Sequence, residues 1–340
     1  MKSKTINNAE NINLKSSVPA EEIVGILEQS KSVLVASHVD PDGDALGTQL
    51  AFASYLKKSG KSVHLVREDD IPEKYLFLTG LDEIKHIQHY IGNELEVDTA
   101  IILECPRLTR AGNIVNELKG NCKIINIDHH QDNEGFGEVV WIDKKASSVG
   151  EMVFEFFDSV GYEIDEPTSI QLYTAIITDT GRFRFDSTTG RTMEIAGKLI
   201  ETGADPHAIC DKIYFNMPQS TLKLIGYALH NAEFLQNNRV CVLSLSKEIL
   251  HKNGARLSDT EGLAEYTLYG KEVEVGVLLK EGSDGITRVS MRSSGRVNVA
   301  DLAATFGGGG HICAAGCSIE KELLGAKKEL LQALSEIIDA

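Results

Sequence analysis

The stretch "ASHVDPDGDALGT", residues 36–48, places His38, Asp40, Asp42 and Asp44 within seven positions. It follows the apolar run "VLVA" and leads into "ALGTQLAFASYLKKSG", in which apolar residues recur at helical intervals. This pattern predicts a strand, a turn and a helix. Ligands bind in the loops that follow the carboxyl ends of parallel strands. We therefore expect these side chains to lie where such a sheet binds its ligand.

The same residues also have an ordinary structural explanation. Aspartate is a good helix N-cap, and "PDGD" is a good turn. Crowded carboxylates, however, repel one another and raise each other's pKa unless a cation compensates. Taken alone, the stretch is equally compatible with a capped turn and with a metal site.

The composition is typical of a globular protein of two domains. The chain has 340 residues, of which 42% are hydrophobic and 25% charged. It contains no apolar stretch of the roughly 20 residues that span a membrane, and its polar start does not resemble a secretory signal. Its six cysteines are scattered and form no C-x-x-C pair, which favours reduced, packed thiols over zinc ligands. These features predict a cytoplasmic protein that does not bind membranes.

The charge balance limits the class of partner. Lysine and arginine total 34 against 50 acidic residues, a net charge of −16. A sequence-independent grip on long nucleic acid needs a basic face, so long nucleic acid is not an expected partner. A small anion held in a local pocket stays compatible with this charge.

The order of the segments predicts an α/β fold in two parts. From about residue 20 to 130, strand-like runs alternate with helical ones, including a predicted helix at "RAGNIVNELKG", which indicates a parallel sheet flanked by helices. Three helical segments follow. We predict a flexible arm at 1–19, a first domain at 20–203, a connection at 204–220 and a smaller α/β domain at 221–340. In the last part, "GGGGH" is predicted to precede the closing helix.

Three later segments repeat the acidic pattern at the ends of predicted elements. Glu104 ends the strand "IILE", "DHH" at 128–130 ends the strand "INID", and Asp179 ends an apolar helix. Each has an ordinary explanation, but their coincidence favours a shared metal site. Asp42, Asp44, Glu104 and Asp179 supply four negative charges, which match two divalent cations. Two such ions roughly 4 Å apart can activate water and hold phosphate oxygens.

Together these motifs resemble the DHH phosphoesterase superfamily, named for the sequence found here at 128–130. The segment "SMRSSGRVNVADLAATFGGGGHICAAG" resembles the DHH-associated domain. The resemblance covers about residues 20–338 and is nearest to the subfamily of nanoRNases and pAp phosphatases. It implies a parallel-sheet DHH domain, a smaller substrate-binding domain, and an active site in the cleft between them.

The resemblance also implies metal ligands and two divalent cations, with Mn²⁺ expected and Mg²⁺ as the alternative. His38, Asp42 and Asp179 would hold one ion. Asp44 and His129 would hold the other, and an acidic residue would bridge the two.

Asp179 or Glu104 would join Asp44 and His129 around this second ion. The family usually has aspartate where this chain has Glu104, although Arg110 matches the family register. This departure leaves Glu104 as a bridge, a ligand of one ion or a general base, and is compatible with a lower activity. His130 would lie beside the scissile phosphate, and Asp128 would orient a neighbouring histidine.

The glycine-rich segment is predicted to bind the substrate's phosphate. Bare backbone allows a ligand to approach closely, and its N–H groups can meet a phosphate, above all where a helix follows. The implied substrate-binding residues are Arg292, Gly308, Gly309, Gly310 and His311.

The resemblance implies a phosphoesterase that cleaves very short oligonucleotides, including dinucleotides, to mononucleotides and removes the 3′-phosphate of adenosine 3′,5′-bisphosphate (pAp). A phosphodiesterase acting on cyclic or linear dinucleotides is the first alternative. A pyrophosphatase or polyphosphatase is another, although the "GGGGH" segment favours nucleotides. A nucleotide-binding regulator without catalysis is the alternative of another class, supported by Glu104. A homodimer is compatible with the sequence.

Overall fold

The protein is described by a computed structural model that covers residues 18–92, 95–118, 120–260, 262–282 and 284–338. The chain divides into a first unit, Met1–Asn216, and a second unit, Met217–Ala340. Residues 1–17 of the predicted arm lie outside the described residues. Among those described, no helix combines the length and the apolar character needed to cross a membrane.

Within its described residues, the first unit contains one six-stranded sheet and six α-helices. The strands are β1 Ser32–Ala36, β2 Ser62–Arg67, β3 Ile84–His86, β4 Thr99–Leu103, β5 Lys123–Asp128 and β6 Val139–Ile142. The helices are α1 Ala20–Gln29, α2 Gly43–Lys58, α3 Val149–Ser159, α4 Glu166–Asp179, α5 Gly190–Glu201 and α6 Pro206–Tyr214. Short 3₁₀ helices occur at Glu73–Tyr75, Leu81–Glu83, Ile87–His89 and Leu108–Glu117.

All neighbouring strands of the first sheet are parallel, in the order β3-β2-β1-β4-β5-β6. Both faces of the sheet are covered. On β1, Val33 and Val35 belong to one apolar cluster and Leu34 and Ala36 to another. A strand buried on both faces reads as an unbroken apolar run, which is why "VLVA" has no polar alternation. The predicted parallel α/β architecture is confirmed.

Glycines allow helices α2 and α4 to pack closely beneath the carboxyl edge of this sheet. A Cβ on Gly47 would lie 2.3 Å from the carbonyl oxygen of Gln171, and one on Gly43 would lie 2.4 Å from Oγ1 of Thr178. The close approach brings the start of α2, which carries Asp44, beside the end of α4.

The second unit has a mixed sheet with four helices. Its strands are β7 Glu233–Leu235, β8 Val240–Leu245, β9 Val275–Glu281, β10 Thr287–Ser293, β11 Gly309–His311 and β12 Ala314–Ile319. Its helices are α7 Gln219–His230, α8 Lys247–Lys252, α9 Val299–Ala304 and α10 Leu323–Ile338, with 3₁₀ helices at Leu257–Thr260 and Leu263–Tyr269. The strand order is β11-β12-β10-β9-β8-β7, and only the β8–β9 pairing is parallel.

Burial alternates along β10 and β12 of the second sheet. Val289 and Met291 on β10 are buried with Leu330 and Leu334 of α10, whereas the residues between them are partly accessible. Cys317 packs into the same core, and all six cysteines are free thiols, as the sequence predicts.

One local prediction needs correction, and two gain detail. The predicted helix at 110–120 is a 3₁₀ segment interrupted at Gly112, whose φ of 78° breaks the helical backbone. The "GGGGH" segment precedes the closing helix as predicted, but its last three residues form β11, and β12 lies between them and that helix. Glycine has a low strand propensity, so this hairpin left no periodic signal. The predicted connection at 204–220 contains α6, which Asp205 caps and which buries Ile209 and Ile213.

We expect Gly47→Ala to destabilise the first unit. The added methyl group would meet the backbone of α4, and overpacking of this kind costs about 1–3 kcal/mol. Urea unfolding would measure the loss. Gly25→Ala in α1 is the matched control, because a Cβ there would meet nothing within 4 Å. In the control, the free energy of unfolding should rise by about 0.5–1 kcal/mol because alanine has the higher helix propensity. An equal rise in Gly47→Ala would contradict the close approach of the two helices.

Candidate metal centre

Acidic and imidazole side chains from four elements meet at the carboxyl edge of the first sheet. His38 and Asp42 follow β1, Glu104 follows β4, and His129 follows β5. These strands are neighbours and run parallel, so their carboxyl ends lie side by side. Asp179 arrives from the end of α4.

His38, Asp42 and Glu104 form the first group of potential ligands, with one ligand atom of each within 4.8 Å of the others. Nε2 of His38 lies 3.5 Å from Oε2 of Glu104 and 3.9 Å from Oδ1 of Asp42. Nδ1 of His38 lies 2.6 Å from the carbonyl oxygen of Val39, which fixes the ring with Nε2 toward the carboxylates. Glu104 adopts a left-handed φ of 56°, a conformation that costs about 1–3 kcal/mol for a non-glycine residue.

The second group consists of Asp44, His129 and Asp179, again with ligand atoms within 4.8 Å of one another. Asp44 is fully buried, and its two oxygens accept hydrogen bonds of 2.7 and 2.8 Å from the amides of Val149 and Gly150 at the start of α3. Nε2 of His129 lies 3.3 Å from Oδ2 of Asp179. The capped-turn interpretation also holds in part, because Asp42 caps α2 by accepting from the amides of residues 44 and 45.

The two groups adjoin, but their membership differs from the sets that the family resemblance implies. Glu104, rather than Asp179, lies with His38 and Asp42. Asp42 is nevertheless close enough to raise the pKa of Asp179. The assignment of each residue to a particular ion therefore stays a prediction.

Burial and mutual repulsion raise the pKa of three of these carboxyls. Desolvation, followed by the charge of Asp179, raises the pKa of Asp44 to about 8. Desolvation and the charge of Asp42 raise the pKa of Asp179 to about 7. Burial, together with Asp42, Asp44 and Asp179, raises the pKa of Glu104 well above its ordinary value. The protein alone therefore supplies too little positive charge to offset the repulsion among these carboxylates.

The donor set suits divalent cations. Oε2 of Glu104 is buried and makes no hydrogen bond to any described residue, an expensive state for a carboxylate. A cation would supply the missing partner. Carboxylates combined with imidazoles suit Mn²⁺, Fe²⁺ or Zn²⁺, and carboxylates also admit Mg²⁺.

The "DHH" motif supplies a second pair of groups. Nδ1 of His130 lies 2.8 Å from Oδ1 of Asp128. Burial alone would lower the pKa of His130, but the hydrogen bond and charge of Asp128 outweigh it and raise that pKa. Burial acts to raise the pKa of Asp128, but the contact with His130 outweighs burial and lowers that pKa. This contact is the one through which Asp128 would orient His130, and the catalytic role of the pair stays a prediction.

Sequence reasoning missed Asn133, which holds Asp128 in place. Its amide nitrogen lies 2.5 Å from Oδ2 of Asp128, 3.0 Å from Oδ1 of Asn126 and 3.1 Å from the carbonyl oxygen of Cys105. It therefore connects the "DHH" segment to the loop that carries Glu104. These partners are 5, 7 and 28 residues away, so no local spacing marks the residue.

In the second unit, the predicted substrate-binding residues share one side of the sheet. Arg292 on β10 and His311 on β11 both pair with Ala314 of the intervening β12. Residues in one such row project from the same face. This is the accessible face, since burial on β10 and β12 falls on the alternate residues.

The three predicted glycines have different surroundings. A Cβ on Gly308 would lie 2.1 Å from the carbonyl oxygen of Gly316, and one on Gly310 would lie 2.5 Å from that of Ala314. These two glycines are needed for the hairpin itself. Gly309 is exposed, and a Cβ there would meet nothing within 4 Å. Packing within the chain therefore does not explain Gly309.

Comparison with known proteins identifies the family. The family model "DHH family, N-terminal domain" matches residues 32–178, and the "DHHA1 domain" matches residues 237–340. The chain belongs to the DHH family and has a DHHA1 domain, so the resemblance seen in the sequence is confirmed.

Particular relatives extend this identification. The chain is 30% identical to the bifunctional oligoribonuclease and PAP phosphatase NrnA of Thermus thermophilus, over 89% of each chain. It is 28% identical to the Bacillus subtilis protein of the same name, covering 88% of this chain and 92% of that one. Among solved structures, an exopolyphosphatase-related protein from Bacteroides fragilis superposes with a TM-score of 0.89 at 28% identity, covering 94% of this chain and 96% of the other.

The raised pKa values predict that the metal-free protein loses stability as the pH rises. A carboxyl whose pKa is higher in the folded than in the unfolded chain favours folding at low pH. This contribution to stability is lost as the pH rises from the unfolded to the folded pKa. For Asp44 and Asp179 the loss begins near the ordinary carboxyl pKa of 3.8 and is complete above the folded pKa values of about 8 and about 7, respectively. In EDTA, we expect the melting temperature to be lower at about pH 8.5 than at about pH 5.5, by an amount equivalent to a few kcal/mol.

Asp179→Asn should reduce this pH dependence, because it removes one of the repelling charges. Saturating Mn²⁺ should also reduce it in the wild type. Thermal unfolding followed by circular dichroism would measure both. An equal pH dependence in the wild type and the variant would contradict the electrostatic coupling.

Proposed function

We propose that this protein is a metal-dependent phosphoesterase. It would hydrolyse very short oligonucleotides to mononucleotides and remove the 3′-phosphate of pAp. The observation that carries the proposal is the convergence of two adjoining carboxylate–imidazole groups at the ligand-binding edge of the first sheet. The names of the NrnA relatives support the choice of substrate.

The metal centre would hold two divalent cations, Mn²⁺ in preference and Mg²⁺ as the alternative. The four carboxylates Asp42, Asp44, Glu104 and Asp179 would balance their charge, and His38 and His129 would supply neutral nitrogen ligands. When bound, such ions supply Lewis acidity toward phosphate oxygens and an activated water. Oε2 of Glu104 lies 3.5 Å from Nε2 of His38, a position from which it could bind the same ion, and this supports an enzyme over a regulator without catalysis.

His130 would act beside the scissile phosphate. Its Nδ1 faces Asp128, so a contact with the substrate would involve Nε2. The raised pKa keeps a larger fraction of the imidazole protonated near neutral pH. The ring could therefore donate a hydrogen bond to a phosphate oxygen or a proton to the departing oxygen.

The second unit would bind the substrate's phosphate through the accessible face of its sheet. Arg292 and His311 would contribute donors, and the backbone at Gly309 would allow close approach. The metal centre is near electroneutral when loaded, so a polyanionic substrate needs these further donors. The net charge of −16 disfavours long nucleic acid and is compatible with a preference for short substrates.

Asp179→Ala should abolish turnover of every substrate, because it removes a proposed metal ligand. The assay measures release of mononucleotide from a dinucleotide and phosphate from pAp, with Mn²⁺ present. Asp186→Ala, an exposed aspartate seven residues later, is the control and should retain activity. Parallel assays with cyclic di-AMP and pyrophosphate test the alternative enzymes. Preferential turnover of either would contradict the proposed substrate class.

Arg292→Ala should raise KM with a smaller change in kcat. Loss of a charge-assisted hydrogen bond worth about 1.5–3 kcal/mol corresponds to roughly a 10- to 100-fold weaker interaction with the phosphate. Steady-state kinetics with pAp would measure the effect. A lower kcat with an unchanged KM would argue against a binding role.

Gly309→Val separates substrate binding from folding. The introduced valine side chain would have open space around its Cβ, so the melting temperature should stay near the wild-type value. If backbone at this position meets the phosphate, KM should rise by about tenfold or more, the loss of one hydrogen bond to a charged group. Gly308→Ala is the contrasting variant and should lower the melting temperature. An unchanged KM in Gly309→Val would exclude this contact.

A further inference from the structure

One segment between β6 and the first turn of α3, residues 143–150, contacts two members of the Asp44 group. The amides of its last two residues donate to the carboxylate of Asp44 at 2.7 and 2.8 Å. The carbonyl oxygen of Ala146 lies 3.1 Å from Nδ1 of His129. The position of this segment therefore sets where two of the three potential ligands in that group lie.

Arg191 of α5 contacts the start of this segment and the first turns of α3. Its guanidinium lies 3.1 Å from Oδ2 of Asp143 and 3.1 Å from Oε1 of Glu151, and it also contacts Glu155. The Arg191 side chain is 19% exposed and that of Glu151 is 0% exposed. A single cation thus connects the start of the segment with the first turns of α3 in a mostly buried place.

Asp143 transmits this contact to the turn that carries Ala146. Its Oδ1 accepts a hydrogen bond of 3.0 Å from the amide of Lys145, and its backbone carbonyl accepts one of 3.0 Å from the amide of Ala146. Its other carboxylate oxygen faces Arg191. At the other end of the segment, Glu151 accepts from the hydroxyls of Ser147 and Thr192 at 2.6 and 2.8 Å.

We propose that Arg191 is a positioning residue for the metal centre. It acts through the segment 143–150, and it keeps the α3 amides on Asp44 and the Ala146 carbonyl on His129. Without the guanidinium, three carboxylates would repel one another and the segment would move away from the ligands. The inference rests on the proposed function, because it assumes that Asp44, His129 and Asp179 hold a divalent cation.

The test is Mn²⁺ binding by the full chain, with free Mn²⁺ counted by electron paramagnetic resonance in the absence of substrate. In Arg191→Met, one of two bound Mn²⁺ equivalents should bind about 10-fold more weakly. This is the lower end of the roughly 10- to 100-fold loss that follows removal of a group in direct contact with a metal ligand, because Arg191 acts through an intervening segment. Turnover should recover at saturating Mn²⁺. Lys58→Met is the matched control, because it removes an ion pair of 2.9 Å with Asp165 at the far end of α2. Its Mn²⁺ affinity should equal that of the wild type.

Arg191→Lys keeps one positive charge but cannot contact three carboxylates in the same way. Its loss of Mn²⁺ affinity should lie between those of the wild type and Arg191→Met. If Arg191→Met does not fold, the Mn²⁺ affinity of Arg191→Lys tests the proposal instead. Wild-type Mn²⁺ affinity in folded Arg191 variants would overturn the proposal, as would an equal loss in Lys58→Met. A wild-type protein that binds two Mn²⁺ but hydrolyses none of the substrates would overturn the proposed function alone.

Discussion

Buried carboxylates at one edge of the parallel sheet repel one another, and much of the surrounding structure serves to hold them there. Burial and neighbouring charge raise the pKa values of Asp44, Glu104 and Asp179 together. Helix amides stabilise the carboxylate of Asp44, whereas Oε2 of Glu104 has no hydrogen-bond partner among the described residues. Divalent cations would offset this repulsion, which is why the site chemistry and the phosphoesterase proposal depend on the same groups.

The contacts around the ligands differ in kind as well as in distance from the centre. Asn133 contacts Asp128, which contacts His130, so the loss of Asn133 should affect the chemistry proposed at the phosphate. Arg191 reaches the Asp44 group only through an intervening segment, so its effect should appear in metal affinity. Supporting groups of this type hold ligands at a fixed geometry, and their loss weakens binding without removing a ligand.

The family motifs were visible in the sequence because their residues sit at the ends of elements with strong periodicity. The run "VLVA" and the apolar helix ending at Asp179 predict where those side chains leave the core. The wrong helix and the unpredicted hairpin lie where local pattern and tertiary context conflict. Gly112 interrupts a segment with helical spacing. The hairpin of β11 and β12 begins in glycines, whose pairing depends on a close backbone approach rather than on side chains.

The sequence by itself determined the parallel α/β architecture, the family and the ligand residue types, because apolar periodicity and short motifs are local properties of the chain. Tertiary structure decided which ligands group together, with Glu104 beside His38 and Asp179 beside His129. It also decided that Gly309, unlike Gly308, has no packing role. Arg191 depends on the fold in the same way, since the carboxylates that it contacts lie 36 to 48 residues away. Pairwise distances across a folded core arise only when the elements pack, and no local spacing encodes them.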